Sequence, residues 1–250
     1  MTALQDLAQR LTIGCRILAE QDIVDAYGHL SARLPGDERL FVMNRGISPA
    51  LVEPKDFIVL NWEGQVVDGD GLPNAEWPIH ACIYRARPDV GSVLHSHQRL
   101  SRIFSLSPHK LRGLLMSSVP EWQDGLPLYR GAGLVNSTER GDKLAATLGA
   151  GSAALLRGHG DVVAAADVSS TVLKALSLRD NADVLHELIS HGGNVELWSA
   201  DEVAAWAAPM HVNVSREAAT LLANKAWDYY EARVDGRLAP LLGQDGANRR

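Results

Sequence analysis

The sequence predicts an α/β fold in which a largely antiparallel sheet is covered by helices. Two patterns point to it. Short runs of four or five apolar or alternating residues are joined by tight turns, as in hairpin-built sheets. Around them lie longer stretches whose apolar residues recur every three or four positions, the mark of helices with one buried stripe. A chain of 250 residues is long enough to bury most of its apolar surface.

Residues 3–26 carry Leu4, Leu7, Leu11, Ile13, Ile17 and Leu18 at helical spacing and predict a first helix. Tyr27-Gly28-His29 breaks it, and Leu30–Leu34 alternates like a strand. Pro35-Gly36-Asp37 is a turn into a second strand, Leu40–Met43, and Phe57–Leu60 is a third. Glu63-Gly64 reads as a hairpin turn into Gln65-Val66-Val67, after which Asp68–Asn74 is a loop. A helix follows from about Ala75 to Arg87, where Pro88 disfavours the α conformation of its predecessor. Gly91–His97 is the next strand and Gln98–Leu106 the next helix. Residues 107–136, with Pro108, Pro120 and Pro127, read as irregular and pocket-lining. Beyond them come a helix over Glu139–Leu148, a strand over Ala153–Arg157 continued by Val162–Ala165, and a long helix over Val168–Ser190. Residues 195–235 are helical with Trp206, Trp227, Tyr229 and Tyr230, and 236–250 read as a frayed tail.

The composition, 46% hydrophobic and 22% charged, is that of an ordinary soluble globular protein. Twenty-four basic against 30 acidic residues give a net charge of −6 with no basic block, which argues against nucleic acid as a partner. A small anionic substrate is compatible with this balance, because a few local arginines suffice to hold it. The first 21 residues are amphipathic and carry acids, unlike a signal peptide. No apolar run approaches the roughly 20 residues that span a bilayer. A cytoplasmic protein without membrane partners is expected, with Cys15 and Cys82 as buried reduced thiols.

Chemistry enters at Val93-Leu94-His95-Ser96-His97. A strand repeats every two residues, so His95 and His97 project from one face and offer two imidazoles to a divalent metal. A third ligand candidate is His159 in Arg157-Gly158-His159-Gly160, where glycines allow the turn that would project the ring. Glu76 opens the helix before the His-x-His strand and can face a cleft, or it can simply complement the helix N-terminus. His80, four residues on and on the same face, reads as a packed or hydrogen-bonded support rather than a ligand.

These residues carry a resemblance. Glu76-Trp77-x-x-His80, then Tyr84-Arg85-Ala86-Arg87-Pro88-Asp89-Val90, then His95-Ser96-His97 and Leu155-Leu156-Arg157-Gly158-His159-Gly160 together resemble the class II aldolase/adducin family. The likeness runs in order from about residue 5 to 210. It implies a single-domain, three-layer α/β fold, with 211–235 as a helical extension and 236–250 as a tail. It also implies one divalent ion per subunit, Zn2+ or Mn2+, on His95, His97 and His159, with Glu76 as acid/base. Adducin itself is a non-catalytic relative, and the complete ligand set here sets this chain apart from that binding role.

Departures from the sugar-phosphate aldolases narrow the expectation. Where those enzymes resemble one another in a cradle of hydroxyl, amide and backbone donors for phosphate, this chain has Gly28-His29-Leu30-Ser31, Asn44-Arg45-Gly46-Ile47-Ser48-Pro49 and Asn74-Ala75. Both hydroxyls next to the glutamate are missing. Gly-His-x-Ser with Leu-Leu-Arg-Gly-His-Gly resembles instead the family's decarboxylases of hydroxylated aromatic and pyridine carboxylates. The expected reaction is loss of CO2 from a hydroxyaromatic acid whose hydroxyl and carboxylate oxygens chelate the ion, with Glu76 or His29 as proton donor. Arg45 or Arg157 would hold a substrate carboxylate, with Ser31 and Tyr129 as further contacts. The alternatives are a class II aldolase cleaving a sugar phosphate or a related hydroxy-carbonyl compound, or an epimerase acting on a sugar phosphate. The resemblance further implies a homo-oligomer, a cyclic tetramer with interfacial sites, to which the C-terminal aromatics and Tyr129 would contribute.

Overall fold

The computed structural model describes residues 2–207 and 216–237. An eight-stranded sheet in the order β4-β3-β2-β1-β5-β8-β7-β6 forms its centre. The strands are β1 (His29–Arg33), β2 (Leu40–Asn44), β3 (Phe57–Asn61), β4 (Val66–Asp68), β5 (Ser92–Ser96), β6 (Leu128–Tyr129), β7 (Ala153–Leu156) and β8 (Gly160–Ala165). Every ladder among them is antiparallel except β6 with β7. The α/β class and the mostly antiparallel sheet expected from sequence are therefore what the chain adopts. The β6 strand was not expected: two residues in a proline-rich stretch carry no periodic signal, and only pairing with Leu155 and Leu156 makes them a strand. Val119–Trp122 in the same stretch forms a short helix, α4.

Strand alternation divides the apolar residues between two faces. Leu30, Ala32, Val42, Val59, Leu94 and Val163 point to one side, under helices α1 (Ala3–Glu20), α3 (Arg99–Leu106), α6 (Val168–Ser190) and α8 (Arg216–Val234). Phe41, Met43, Ile58, Leu60, Val93 and Val162 point to the other, under α2 (Trp77–Ala86) and α5 (Thr138–Leu148). Each layer is a separate core, which gives the helix–sheet–helix arrangement.

The helix ends follow local chemistry. Thr2 and Gln5 form a capping box at the start of α1. That helix stops at Glu20, six residues short of the expected end, because Asp22 adopts a left-handed conformation (φ 55°) and Ile23 N–H turns back to the Leu18 carbonyl. Asp167 caps α6 by accepting from Ser170 N–H. The last described helices are α7 (Ala200–Ala207) and α8, where Trp227 is fully buried with the Arg10 guanidinium 3.8 Å over its ring. Trp227 thus belongs to this chain's own core, whereas Tyr229 is exposed, and the Trp206 side chain and residues 238–250 lie outside the described residues. Cys15 and Cys82 are free and buried, as expected. Among the described residues no helix is long and apolar enough to cross a membrane.

Candidate metal centre

The register of β1, β5 and β8 assembles the site. His29 faces His95 directly across the β1–β5 ladder, and Ser96 pairs with Asp161 across β5–β8. His29, Ser31, Val93 and His95 therefore emerge on the α2 side of the sheet. His97 follows β5 by one residue, and its ring lies 5.0 Å from that of His95, so the period-two expectation holds past the formal strand end. His159 sits in the tight β7–β8 turn, where its N–H bonds to the Leu156 carbonyl. Gly158 there has φ 67°, a conformation open to glycine. A Cβ on Gly160 would lie 2.0 Å from the Ser96 carbonyl oxygen, so a glycine is what lets this turn close against β5.

Glu76, His95, His97 and His159 present one ligand atom each, all within 4.8 Å of one another. Glu76 is buried at the N-cap position of α2 but does not cap that helix with its side chain. Its Oε1 accepts instead from Val135 N–H at 2.8 Å, while Oε2 lies 3.6 Å from Nε2 of both His95 and His159. The His95 tautomer is fixed, because Nδ1 bonds to the Asp161 carbonyl, which can only accept. Its Nε2 thus carries the lone pair and has no hydrogen-bond partner, and the His97 Nε2 is likewise buried without a partner. Burial, then the neighbouring imidazoles, hold His95 well below the ordinary histidine range and lower His97 as well. Neutral rings with orphaned nitrogens around a carboxylate oxygen are the donor set a divalent ion requires, and these residues fit one.

Below the ligands, burial pushes the Asp161 carboxyl up to about 6. It accepts from Ser96 Oγ on the far side of the sheet, tying the segment of His95 and His97 to that of His159. On the near side His29 Nδ1 is 2.6 Å from His80 Nε2, and His80 Nδ1 is 2.6 Å from Ser31 Oγ. His80 is thus a hydrogen-bonded support, as its helix position suggested.

A cavity of about 620 Å³ opens onto this centre, lined by His29, Glu76 and His97 together with Arg102 and an apolar wall that includes Tyr27, Ile47 and Leu134. Four of the expected substrate contacts lie elsewhere. Arg45 does not reach the cavity, because its Nε and Nη2 both bond Oδ1 of buried Asp56, at 2.9 and 2.8 Å. Arg157 is exposed in the β7–β8 turn and is not part of the cavity wall. Ser31 is fully buried between His80 and Tyr84, and Tyr129 is buried in the core beneath α5. Arg102 of α3 is the arginine in the cavity wall, and it makes no ion pair among the described residues. Sequence reasoning missed it because an arginine on an amphipathic helix looks like any solvated one. Its only signal was its position five residues after His97.

With this geometry in view, comparison with known proteins defines the class. Residues 9–186 match the family model of the class II aldolase and adducin N-terminal domain, and the chain belongs to that family. It is 29% identical over 199 residues to a 3,4-dihydroxyphthalate decarboxylase of Arthrobacter keyseri, covering 74% of this chain and 79% of that one. Among solved structures it resembles an aldolase II superfamily protein from Pseudomonas syringae, with a TM-score of 0.77 and 22% identity over 93% of this chain and 94% of that one. It also resembles an L-fuculose 1-phosphate aldolase from Glaciozyma antarctica, with a TM-score of 0.76 and 22% identity over 94% of this chain and 91% of that one. The fold is theirs, and the family includes both decarboxylases and aldolases.

Two outcomes follow. His95→Ala removes a candidate ligand whose tautomer is preset, so a divalent ion found in the purified wild-type protein should be missing from the variant by elemental analysis; full metal content in the variant would reject the centre. Acidification should destabilise the metal-free protein. His29 and His95 lie well below 6.5 when folded, and His80 is pushed down to about 3 by burial. The unfolded chain therefore takes up protons from about pH 6.5 downward that the folded chain does not, and stability falls with pH over that window. Asp161, raised to about 6 from 3.8, acts in the opposite sense but is a single group. The thermal midpoint should drop between pH 7.5 and 5, and a constant or rising midpoint would contradict the neutral, buried histidines.

Proposed function

We propose that this protein is a divalent-metal-dependent decarboxylase of hydroxylated aromatic or heteroaromatic carboxylates. The observation that carries this reading is the chemistry of the cavity wall. Its serine, Ser48, already donates to the Asp25 carbonyl and accepts from Ala50 N–H, and Asn74 Oδ1 accepts from Glu76 N–H. Ala75 adds only a methyl group beside the glutamate. A phosphate would meet few free side-chain donors here. A flat ring suits walls of Tyr27, Ile47, Pro73 and Leu134, and a carboxylate suits the Arg102 guanidinium. The dihydroxyphthalate decarboxylase relatives support the same substrate class.

In this reading the C–C bond to the carboxylate breaks, CO2 leaves, and the electron pair stays on the ring carbon. One proton then joins that carbon, so the overall change is exchange of CO2 for a proton. An ion held by His95, His97 and His159 would supply Lewis acidity that draws electron density from the breaking bond. Arg102 orients the acid, and the apolar wall excludes water from the ring face. Glu76 and His29 both lie within reach of the cavity and are the candidate proton donors. The Zn2+ or Mn2+ alternatives are separated by reconstitution. The reading includes a homo-oligomer, a tetramer with sites bordering a neighbouring subunit, supported by exposed Tyr27 and Leu134 at the cavity.

Metal-loaded protein should release CO2 from an ortho-hydroxy aromatic acid in a panel of such compounds. Cleavage of a sugar phosphate with no CO2 from any panel member would replace this reading with the aldolase one. Arg102→Ala should raise KM for the acid by roughly 10- to 100-fold, the loss of a charged hydrogen bond. An unchanged KM would remove Arg102 from substrate binding.

A further inference from the structure

Behind the cavity a chain of four polar side chains runs between the sheet and α2, all of them buried. The Tyr84 hydroxyl lies 2.6 Å from Ser31 Oγ, Ser31 Oγ lies 2.6 Å from His80 Nδ1, and His80 Nε2 lies 2.6 Å from His29 Nδ1. The other end is open: His29 Nε2 is buried without a hydrogen-bond partner and stands 4.0 Å from Glu76 Oε2. His29 lies in the cavity wall, and Ser31, His80 and Tyr84 do not.

The direction of the protons along this chain follows from its closed end. Among the described residues Ser31 is the one acceptor hydrogen-bonded to the Tyr84 hydroxyl; the backbone of Val93, its other neighbour, offers an N–H that can only donate. If Ser31 donated to Tyr84, the tyrosine proton would be stranded in the core, which disfavours that arrangement by roughly 5- to 100-fold. Tyr84 therefore donates to Ser31. Ser31 has one proton and gives it to His80 Nδ1, which must carry a lone pair. The proton of His80 is then on Nε2 and is donated to His29 Nδ1. A neutral His29 with Nδ1 accepting has its own proton on Nε2, facing the cavity.

We infer that Ser31 and His80, with Tyr84 closing the chain, are positioning residues that present His29 as an N–H donor toward the cavity, making His29 rather than Glu76 the group that protonates the ring carbon. As the Nε2 proton passes to carbon, the imidazolate left on His29 is held by the His80 Nε2–H at its Nδ1, and solvent returns the proton to Nε2 once the product leaves. This assignment of the proton's destination rests on the decarboxylase reading; the polarity of the chain does not. The same polarity separates His29 from the ligands. A protonated Nε2 has no lone pair for an ion, whereas His95 carries its proton on Nδ1 and leaves Nε2 free. Two rings that face each other across one strand pair are set in opposite tautomers by what their inner nitrogens touch.

Long-range proton–nitrogen NMR on 15N-histidine-labelled protein, reconstituted with Zn2+, reads the tautomers directly. His29 and His80 should show protonated Nε2 and bare Nδ1, with resonances assigned by His29→Gln and His80→Gln. His29 protonated on Nδ1 overturns the proposal. Ser31→Ala cuts the chain, so the His80 and His29 tautomers should become mixed, with bound zinc unchanged. Tyr84→Phe leaves Ser31 as the chain end with its proton still directed inward, so the tautomer should persist; a reversed tautomer in that variant would also overturn the polarity argument. With an active substrate, Ser31→Ala should lower kcat about two- to tenfold at constant KM, as the donor-competent fraction falls. His29→Gln should lower kcat by about 100-fold or more. Wild-type kcat in His29→Gln would remove His29 as the donor. The expected tautomers with no CO2 from any hydroxyaromatic acid would support the chain while refuting the substrate reading.

Discussion

The antiparallel register at the centre of the sheet is the constraint on which the site depends. Pairing of His29 with His95, and of Ser96 with Asp161, fixes which face each side chain takes. A slip of one residue between β1 and β5 would send His29 and Ser31 into the apolar layer beneath α1 and α6, and the hydrogen-bond chain would vanish with them. The register is held by burial on both faces, since Leu30, Leu94 and Val163 fill one core while Val93 and Val162 fill the other. The chemistry of the centre is thus specified by the hydrophobic residues that alternate with it along the same strands.

This explains why the centre could be read from the sequence and its surroundings could not. His95 and His97 follow from strand periodicity, and His159 from the glycines of a two-strand turn, because both signals are local. Glu76 was placed at a helix start correctly, but its hydrogen bond to Val135, 59 residues on, has no local trace. Arg45 resembled a carboxylate anchor until Asp56 was found to hold it. Arg102 was invisible for the converse reason: nothing in the sequence tells which side of α3 faces a cavity formed by residues from five separate segments. The β6 strand and the early stop of α1 were lost similarly, one to a long-range pairing and the other to a single left-handed residue.

Histidine burial gives the site its character. Four rings, His29, His80, His95 and His97, are all lowered by desolvation, so none gains charge on approach of an acid at neutral pH. Their roles differ only through the second nitrogen of each ring: a carbonyl behind His95, another imidazole behind His29. On the proposed reading, the polar interior between β1 and α2 divides chemically identical side chains into candidate ligand and candidate donor. It also explains why that interior is buried rather than solvated, since water at Ser31 or His80 could satisfy either proton direction and erase the distinction.

The Glu76–Val135 hydrogen bond has a consequence for any carboxamide placed at position 76. Val135 N–H can only donate, so an amide there must turn its oxygen toward Val135. The NH2 group then points at the His95 Nε2 lone pair and at His159 Nε2, where the carboxylate oxygen had stood 3.6 Å away. Such a side chain would hydrogen-bond across the mouth of the ligand set and act as an internal plug. A substitution usually regarded as conservative would here close the centre, because the surrounding backbone dictates which end of the amide faces inward.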